Sequence, residues 1–373
     1  MTASPGAPAT KIHALTSLRF FAAFWVVGFH SFNWYRVPGT LFDNALNLGA
    51  ASVSFFFFLS GYILSVVYLR NRDSIVRSKF YIARFARIYP LFLATLLVDV
   101  PFLFTERIHK YGLIHAIEKT SVTLLGNLLM LQAWILNLRG LDNPNWSLSV
   151  ETVFYIIFPL VGFWLWRRTR NQTLILGILL WAASQAIVLL ATRHLFFDIV
   201  IFFPLFHIPT FLLGCLFARL HLTRSPGPNA SSQRKTFLLA SLYLVIFLAI
   251  IAACYRFIPE TMFLDGLLVP AYCALIAIFS LNDLWPARLV SHPWLIILGE
   301  ASYGLYLIHV PVLHLWEALH LNEHILLYPL YLIVCIALSV LSFFFFEAPA
   351  RRAILARFHT RSRETMELAS DAQ

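Results

Sequence analysis

The sequence carries little charge, because Asp, Glu, Lys and Arg together make up only 12% of its 373 residues. A soluble domain has about twice that fraction, so the composition excludes a soluble domain of any size. The deficit is matched by 60% hydrophobic residues and a mean hydropathy of +0.75. This composition predicts an all-α polytopic membrane protein, a bundle of transmembrane helices.

Cysteine is also scarce. The four cysteines lie inside apolar runs, without C-x-x-C spacing and without histidines at metal-ligand spacing. They therefore indicate neither a disulfide framework nor a zinc site, and no metal is expected. A small-residue cleavage site of the A-x-A kind is missing after the first apolar run. That run is therefore interpreted as an uncleaved first span rather than a signal peptide.

Long apolar runs, in contrast, are abundant. A helix needs about 20 apolar residues to cross the hydrocarbon, and ten runs of that kind lie at roughly 14–34, 48–69, 88–105, 148–166, 173–192, 199–219, 236–253, 263–281, 294–315 and 325–346. The segment 121–137 is shorter and contains Asn127 and Gln132. It is interpreted as a re-entrant or interfacial segment rather than an eleventh span.

The placement of lysine and arginine indicates both termini in the cytoplasm. With ten spans, 21 of the 28 basic residues lie on the inner side and 7 on the outer side, which follows the positive-inside rule. The net charge of +10 is therefore interpreted as an orientation signal, and no nucleic-acid partner is expected. The transmembrane domain is expected at 12–349, between a cytoplasmic tail at 1–11 and a basic cytoplasmic tail at 350–373.

Ionisable residues interrupt the first apolar run. Arg19 and His30 are 11 residues apart, so both lie on one face of a helix, about 16 Å apart along its axis. Such residues inside a membrane usually face a bundle interior or a wet cavity. The alternative is an arginine that snorkels to the surface and a histidine that hydrogen-bonds a neighbouring helix.

Two further polar groups flank later spans. Arg84 and Arg87 are three residues apart and share a helical face at the inner surface, where they are either a phosphate clamp or ordinary positive-inside anchors. Ser147 suits a helix N-cap. Glu151 follows in the first turn, where the helix dipole favours a carboxylate, but the apolar run after it favours a role inside the bundle.

The ninth run carries a polar stripe, because Ser302, Tyr306 and His309 recur at helical spacing. Taken singly, each is more typical of an interhelical hydrogen bond than of a catalyst. On the expected topology His30, Glu151 and His309 fall in the outer half, and the arginines fall at the inner surface. Together they predict a site that runs through the membrane.

These motifs, taken together, resemble the membrane acyltransferase-3 family, whose members include bacterial O-acyltransferases of lipopolysaccharide, exopolysaccharide and macrolides. The resemblance covers about Ile12 to Pro349, and Ala83 stands where the family often has another basic residue. No appended hydrolase domain follows the last run, so a stand-alone form is expected. The motifs are Arg19-x10-His30, Ser54-Phe-Phe-Phe-Phe-Leu-Ser60-Gly61-Tyr62, Arg84-x-x-Arg87-Ile-x-Pro90, Trp146-Ser-Leu-Ser-Val-Glu151, Leu298-Gly-Glu-Ala-Ser-Tyr-Gly-Leu-Tyr-Leu-Ile-His309 and Phe346-Glu-Ala-Pro349.

The resemblance implies an acyltransferase transferring groups other than aminoacyl groups, in a bacterial inner (cytoplasmic) membrane. The donor would be cytoplasmic acyl-CoA as co-substrate, with acetyl-CoA as the default, and no bound cofactor. The acceptor would be a hydroxyl of a carbohydrate or lipid-linked glycan of the cell envelope. His30 would be catalytic, with Arg19, Arg84 and Arg87 as essential polar partners, while the oligomeric state is left open.

Two mechanisms fit these residues. In one, a neutral His30 takes the acceptor proton as a general base, oriented by Glu151; in the other, His30 is acylated first and passes the group outward. In both, the three arginines hold the CoA phosphates. The supporting residues are Ser60, Trp146, Ser147, Ser302, Tyr303, Tyr306 and His309.

A secondary transporter is the main alternative function, because polar groups at mid-membrane and Gly/Pro breaks also mark transport sites. The sequence shows no internal repeat, which weighs against it.

Overall fold

The computed structural model describes residues 13–35, 40, 43, 46–70, 74–223, 230–281 and 285–358. These residues are helical or irregular and contain no strand. The α-helices, in chain order, are α1 (His13–Ser31), α2 (Ala51–Tyr68), α3 (Arg77–Tyr111), α4 (Leu113–Leu128), α5 (Trp146–Trp166), α6 (Arg170–His194), α7 (Phe197–Phe202), α8 (Pro204–Leu222), α9 (Ala230–Cys254), α10 (Glu260–Leu264), α11 (Val269–Phe279), α12 (Trp285–Val290), α13 (Pro293–Glu300), α14 (Ser302–Ala318) and α15 (Tyr328–Ser342).

Eight of the described helices are long and apolar enough to cross a membrane, and the pair α13–α14, bent by 58°, makes a ninth if it counts as one span. Each of the ten expected runs corresponds to one of these helices or to α1. The 19 residues of α1 fall outside the set of eight. The expected all-helical membrane bundle is confirmed. By helix length and composition the described residues contain eight or nine candidate spans rather than ten.

The segment 121–137 does not form a span. α4 has 16 residues and ends at Leu128, and at 1.5 Å per residue it is about 24 Å long, shorter than the hydrocarbon core of about 30 Å. The buried Asn127 side chain donates hydrogen bonds to the carbonyls of Thr123 (2.8 Å) and Leu138 (2.7 Å). These bonds fold the following chain back against the end of the helix.

α3 is much longer than a simple span. Its 35 residues reach about 52 Å, so it extends well beyond a hydrocarbon core of about 30 Å. It contains Pro90 and Pro101, and such residues are tolerated in membrane helices where neighbours satisfy the freed carbonyls. Arg84 and Arg87 lie two to three turns from its first residue. α3 therefore carries its arginine pair near one end.

The core is centred on α2, the most completely buried of the spans, and its largest helix contact is with α8. The two backbones touch where Gly61 faces Gly214. A Cβ atom on Gly61 would overlap the carbonyl oxygen of Phe211, and one on Gly214 would overlap that of Phe58. Small residues permit such close crossings in membranes, where association depends on van der Waals packing rather than on hydrophobic burial.

The same substitution at two helical glycines tests this crossing. We expect Gly214→Ala to destabilise the protein by about 1–3 kcal/mol or more, because overpacking forces the backbones apart. Gly177→Ala in α6, where a Cβ meets open space, should be neutral or stabilise by up to about 1 kcal/mol through helix propensity. Thermal unfolding of the detergent-solubilised variants measures both. Equal melting temperatures would contradict the close crossing of α2 and α8.

Candidate active site

α14 joins three other helices through three successive turns. Tyr303 donates a hydrogen bond to the Ile88 carbonyl of α3 (2.7 Å), and the Tyr306 hydroxyl lies 2.8 Å from the Ser147 hydroxyl at the start of α5. One turn further, His309 Nε2 lies 3.0 Å from His30 Nδ1 of α1. These residues form a continuous polar stripe along one helix inside the bundle.

The two histidines form a stacked, hydrogen-bonded pair. Their ring centroids are 5.2 Å apart and their planes differ by 18°. His309 is fully buried and His30 is half-buried. Tyr331 donates to the His309 carbonyl at 3.0 Å, which ties α15 to the same point. The structure thus brings together His30 and His309, which the sequence pattern placed in the same half of the membrane without predicting a direct bond.

The hydrogen bonds of His309 fix the proton positions in the pair. His309 Nδ1 lies 3.2 Å from the Leu305 carbonyl, and a carbonyl can only accept, so this nitrogen carries the hydrogen. In a neutral ring the other nitrogen, Nε2, then accepts. His30 Nδ1 must therefore donate to it, which leaves the lone pair of a neutral His30 on Nε2. His309 thereby selects the tautomer of His30.

Glu151 lies in a different set of contacts from the one expected. Its Oε1 accepts hydrogen bonds from Ser60 (3.2 Å) and Tyr155 (2.5 Å), and it interacts electrostatically with Arg19. The expectation that Glu151 orients His30 is corrected here, because His309 occupies that position. Glu151 is one helical turn further along α5 than Ser147, about 6 Å by helical rise, and this displacement places it among the arginines.

The arginines form a second polar layer around Glu151. The Arg84 guanidinium stands 5.8 Å from the ring centroids of Tyr68 and Tyr155, and the charge of Arg87 acts on Arg19. Among the ion pairs of the described residues, none within 4.0 Å includes Arg19, Arg84 or Arg87. Arg84 Nε is buried without a hydrogen-bond partner. These guanidinium groups therefore keep donors available for an anion.

Sequence reasoning missed several members of this layer. Glu347 lies at the end of a π-helical turn, Phe343–Glu347, with its Oε1 against Gly304. It interacts electrostatically with Arg87, Arg19 and Glu300, and Arg351 interacts with Arg87 and Arg84. π-Turns are often found at functional sites. The Phe-Glu-Ala-Pro motif contained Glu347, but nothing in the sequence showed the turn that directs it inward.

Two expected supporting residues have local roles. Ser302 donates to the Gly299 carbonyl at 2.7 Å, at the bend between α13 and α14. A Cβ on Gly299 would overlap the Thr16 carbonyl, so α13 also crosses α1 at backbone contact. Trp146 is buried between Phe202 and His207, with ring centroids 5.1 and 5.3 Å away, and packs the start of α5 rather than joining the polar stripe.

No group of three or more potential metal ligands occurs in the part of the chain that the structure describes.

Comparisons with known proteins identify the family. The sequence model of the protein family described as "Acyltransferase domain" matches residues 12–344 of this chain. Nodulation protein 10 of Rhizobium leguminosarum bv. viciae is 25% identical over 363 residues, covering 91% of this chain and 94% of that protein. No solved structure matches this chain significantly.

Two further relatives are longer than the region they share with this chain. Acyltransferase MdmB of Streptomyces mycarofaciens is 35% identical over 159 residues, covering 40% of this chain and 39% of MdmB. The Bacillus subtilis (strain 168) protein named "Putative peptidoglycan O-acetyltransferase YrhL" is 26% identical over 384 residues, covering 94% of this chain and 56% of YrhL. This chain therefore aligns with about two fifths of MdmB and just over half of YrhL. With the family match extending over nearly the whole chain, these findings show that the protein belongs to the acyltransferase-3 family of membrane acyltransferases.

Proposed function

We propose that this protein transfers an acyl group from cytoplasmic acyl-CoA to a hydroxyl group of a cell-envelope carbohydrate. The observation that carries the proposal is the joining of two chemically different layers on one helix bundle. One layer is a histidine pair with a defined lone pair, and the other is a set of arginines that form no ion pair within 4.0 Å among the described residues. A thioester acyl transfer needs a base and a binding site for the polyanionic donor.

His30 supplies the first requirement. As a general base, its Nε2 would take the proton of the acceptor hydroxyl while the acceptor oxygen bonds to the acyl carbon and the carbon–sulfur bond breaks. The proton would then pass from His30 to the CoA thiolate, so the reaction releases neutral CoA thiol and no net proton. Alternatively, His30 is acylated first and then delivers the group to the acceptor; the same tautomer supports both routes.

The arginines supply the second requirement. Guanidinium groups bind phosphate oxygens through paired, charge-assisted hydrogen bonds. The charge of Arg87 acts on Arg19, and Arg84 and Arg87 both act on Tyr155, which also interacts with Glu151. Such like charges repel unless an anion separates them. We infer that the phosphates of acyl-CoA bind here, with Glu151 as a fixed counter-charge that holds the cluster together.

Helix α1 provides the spacing between the two layers. Arg19 and His30 are 11 residues apart on one continuous helix, about 16 Å by helical rise. A donor whose nucleotide is held by the arginines would extend its pantetheine arm along this length. The thioester would then reach His30 inside the bundle, while the nucleotide stays at the cytoplasmic side on the expected orientation.

The choice of donor and acceptor rests on the relatives and on the family resemblance. The name of YrhL refers to peptidoglycan and to acetyl transfer, which supports an acetyl donor and a carbohydrate or lipid-linked glycan acceptor in a bacterial cytoplasmic membrane. Both termini would lie in the cytoplasm.

Substitutions of the histidine pair test the chemical step. We expect His30→Ala to lower acetyl transfer from labelled acetyl-CoA by at least about 100-fold, as loss of a general base or nucleophile does. His309→Gln should keep part of the activity, because its side-chain oxygen can accept the His30 Nδ1 hydrogen, and His309→Ala should keep less. His194→Ala, which changes an exposed histidine at the end of α6, serves as the control. Wild-type activity in His30→Ala membranes with normal protein levels would refute the assignment.

Substitution of Arg84 tests donor binding separately. We expect Arg84→Ala to raise the KM for acetyl-CoA about 10-fold or more, with little change in the KM for the acceptor, because one charge-assisted contact to phosphate is worth about 1.5–3 kcal/mol. Arg77→Ala, at the exposed start of the same helix, should change neither value. Steady-state kinetics with both substrates varied provides the measurement. A selective effect of Arg84→Ala on the acceptor KM would contradict the phosphate role.

A further inference from the structure

The irregular segment between α4 and α5, residues 129–145, contains polar side chains that the proposed chemistry leaves unused. Six buried side-chain atoms in it have no hydrogen-bond partner, and five of them belong to Gln132, Asp142 and Asn145: Gln132 Oε1, both carboxylate oxygens of Asp142, and Oδ1 and Nδ2 of Asn145. The sixth is Nε of Arg139, whose guanidinium pairs with Asp198. Gln132, Asp142 and Asn145 are at most 1% exposed. Buried polar groups are nearly always paired with protein or ordered water, so such a cluster indicates a ligand.

This segment is fixed along the part of α14 that carries His309. The Pro144 carbonyl accepts a hydrogen bond from the Tyr306 hydroxyl of α14 at 3.1 Å. The Asp142 backbone N–H donates to one carboxylate oxygen of Asp99 in α3 at 2.7 Å. The other Asp99 oxygen lies 2.5 Å from His314 Nδ1 of α14. Tyr306 and His314 are eight residues apart on α14, about 12 Å by helical rise. His309 lies between them along the helix axis, and its ring centroid is 6.3 Å from that of Tyr306, which connects the segment to the histidine pair through Tyr306.

The backbone of the segment is arranged around these side chains. Asp142 adopts φ = 42°, in the left-handed region that non-glycine residues seldom occupy. Such conformations persist where the surroundings enforce them and they cluster at functional sites. Gln132 donates its Nε2 to the Asn145 carbonyl at 2.8 Å, which brings the two amide side chains into one cluster.

The electrostatics of Asp142 also favour a hydroxyl ligand. Burial and, second, the neighbouring Asp99 carboxylate raise the pKa of Asp142 well above its usual value. The nearby Thr95 hydroxyl acts in the opposite direction, although its hydrogen bonds go to the carbonyls of Leu91 and Phe92. The carboxylate meets no cation within 4.0 Å among the described residues. Hydroxyl donors would stabilise its charged form without bringing a charge into the bundle.

We propose that Gln132, Asp142 and Asn145 form the acceptor subsite, which binds a vicinal diol of a carbohydrate next to His30 and His309. This inference rests on the proposed function and specifies its acceptor side. A carboxylate accepts from two neighbouring hydroxyl groups, and an amide both donates and accepts. Together they match a sugar ring, which presents adjacent hydroxyls with both capacities. A free polymer and a lipid-linked glycan share this chemistry.

If these residues bind the acceptor, their substitution should change how the acyl group is divided between carbohydrate and water, and not only the rate at which CoA is released. Membranes carrying each variant would be incubated with radiolabelled acetyl-CoA, and free CoA, free acetate and label in carbohydrate would be measured together. We expect Asp142→Asn and Gln132→Leu to lower the ratio of carbohydrate label to free acetate at least tenfold, since water replaces the poorly held acceptor. In the wild type, label in the lipid-extractable fraction identifies a lipid-linked glycan as the acceptor, and label in the polymeric fraction identifies a free polymer.

Gln185→Leu in α6 is the matched control. Gln185 is also buried, also donates its Nε2 to a backbone carbonyl (Asp265, 3.0 Å) and also leaves its Oε1 without a partner, but its hydrogen bonds involve neither α14 nor the histidine pair. In Gln185→Leu membranes the ratio of carbohydrate label to free acetate should stay at the wild-type value. An unchanged ratio in both Asp142→Asn and Gln132→Leu, whether or not total activity falls, would overturn the subsite and assign these groups to folding.

Failure of the proposed function would look different. In that case wild-type and His30→Ala membranes would release CoA at the same rate, and the ratio of carbohydrate label to free acetate would be the same in both. A His30-dependent release of CoA together with an unchanged ratio in the variants overturns the subsite alone.

Discussion

The hydrogen bond between His30 and His309 links the first helix of the bundle to the helix that carries the polar stripe. It joins α1 to α14 inside an apolar bundle, where an unsatisfied imidazole nitrogen would be costly. Because the Leu305 carbonyl fixes the hydrogen of His309 on Nδ1, the bond also fixes which nitrogen of His30 can receive a proton. One contact therefore serves both packing and chemistry.

The other layers follow from the same helix. Tyr303 and Tyr306 tie α14 to α3 and α5, the helices that carry the arginine pair and Glu151. The 58° bend at Ala301 separates α14 from α13, so the polar stripe can turn into the bundle while α13 packs along α1. A basic layer and a histidine layer are thus held at a fixed separation, which a long, thin, anionic donor requires.

Much of this arrangement could be predicted from sequence, and the failures have physical reasons. The sequence predicted that Arg19 and His30 lie on one continuous helix, and they do, because helical spacing is a property of local geometry. The contacts of Glu151 could not be predicted in this way, because they depend on how α2 packs against α5. Glu151 accepts hydrogen bonds from Ser60 of α2 and from Tyr155 of its own helix. The π-turn that directs Glu347 inward and the left-handed backbone of Asp142 likewise arise from tertiary contacts that periodicity does not report.

The proposed geometry requires the thiol end of CoA to reach His30 from a nucleotide held by the arginines. A direct measurement uses His30→Cys and CoA activated as a mixed disulfide with thiopyridine, from which the introduced thiol takes the CoA sulfur and releases thiopyridone. We expect mass spectrometry to find CoA attached at position 30, with the reaction prevented by excess acetyl-CoA and by Arg84→Ala. Phe24→Cys, on the exposed face of the same helix, should form no such adduct. A thiol at position 30 that reacts with a small thiol reagent but never with activated CoA would contradict this geometry.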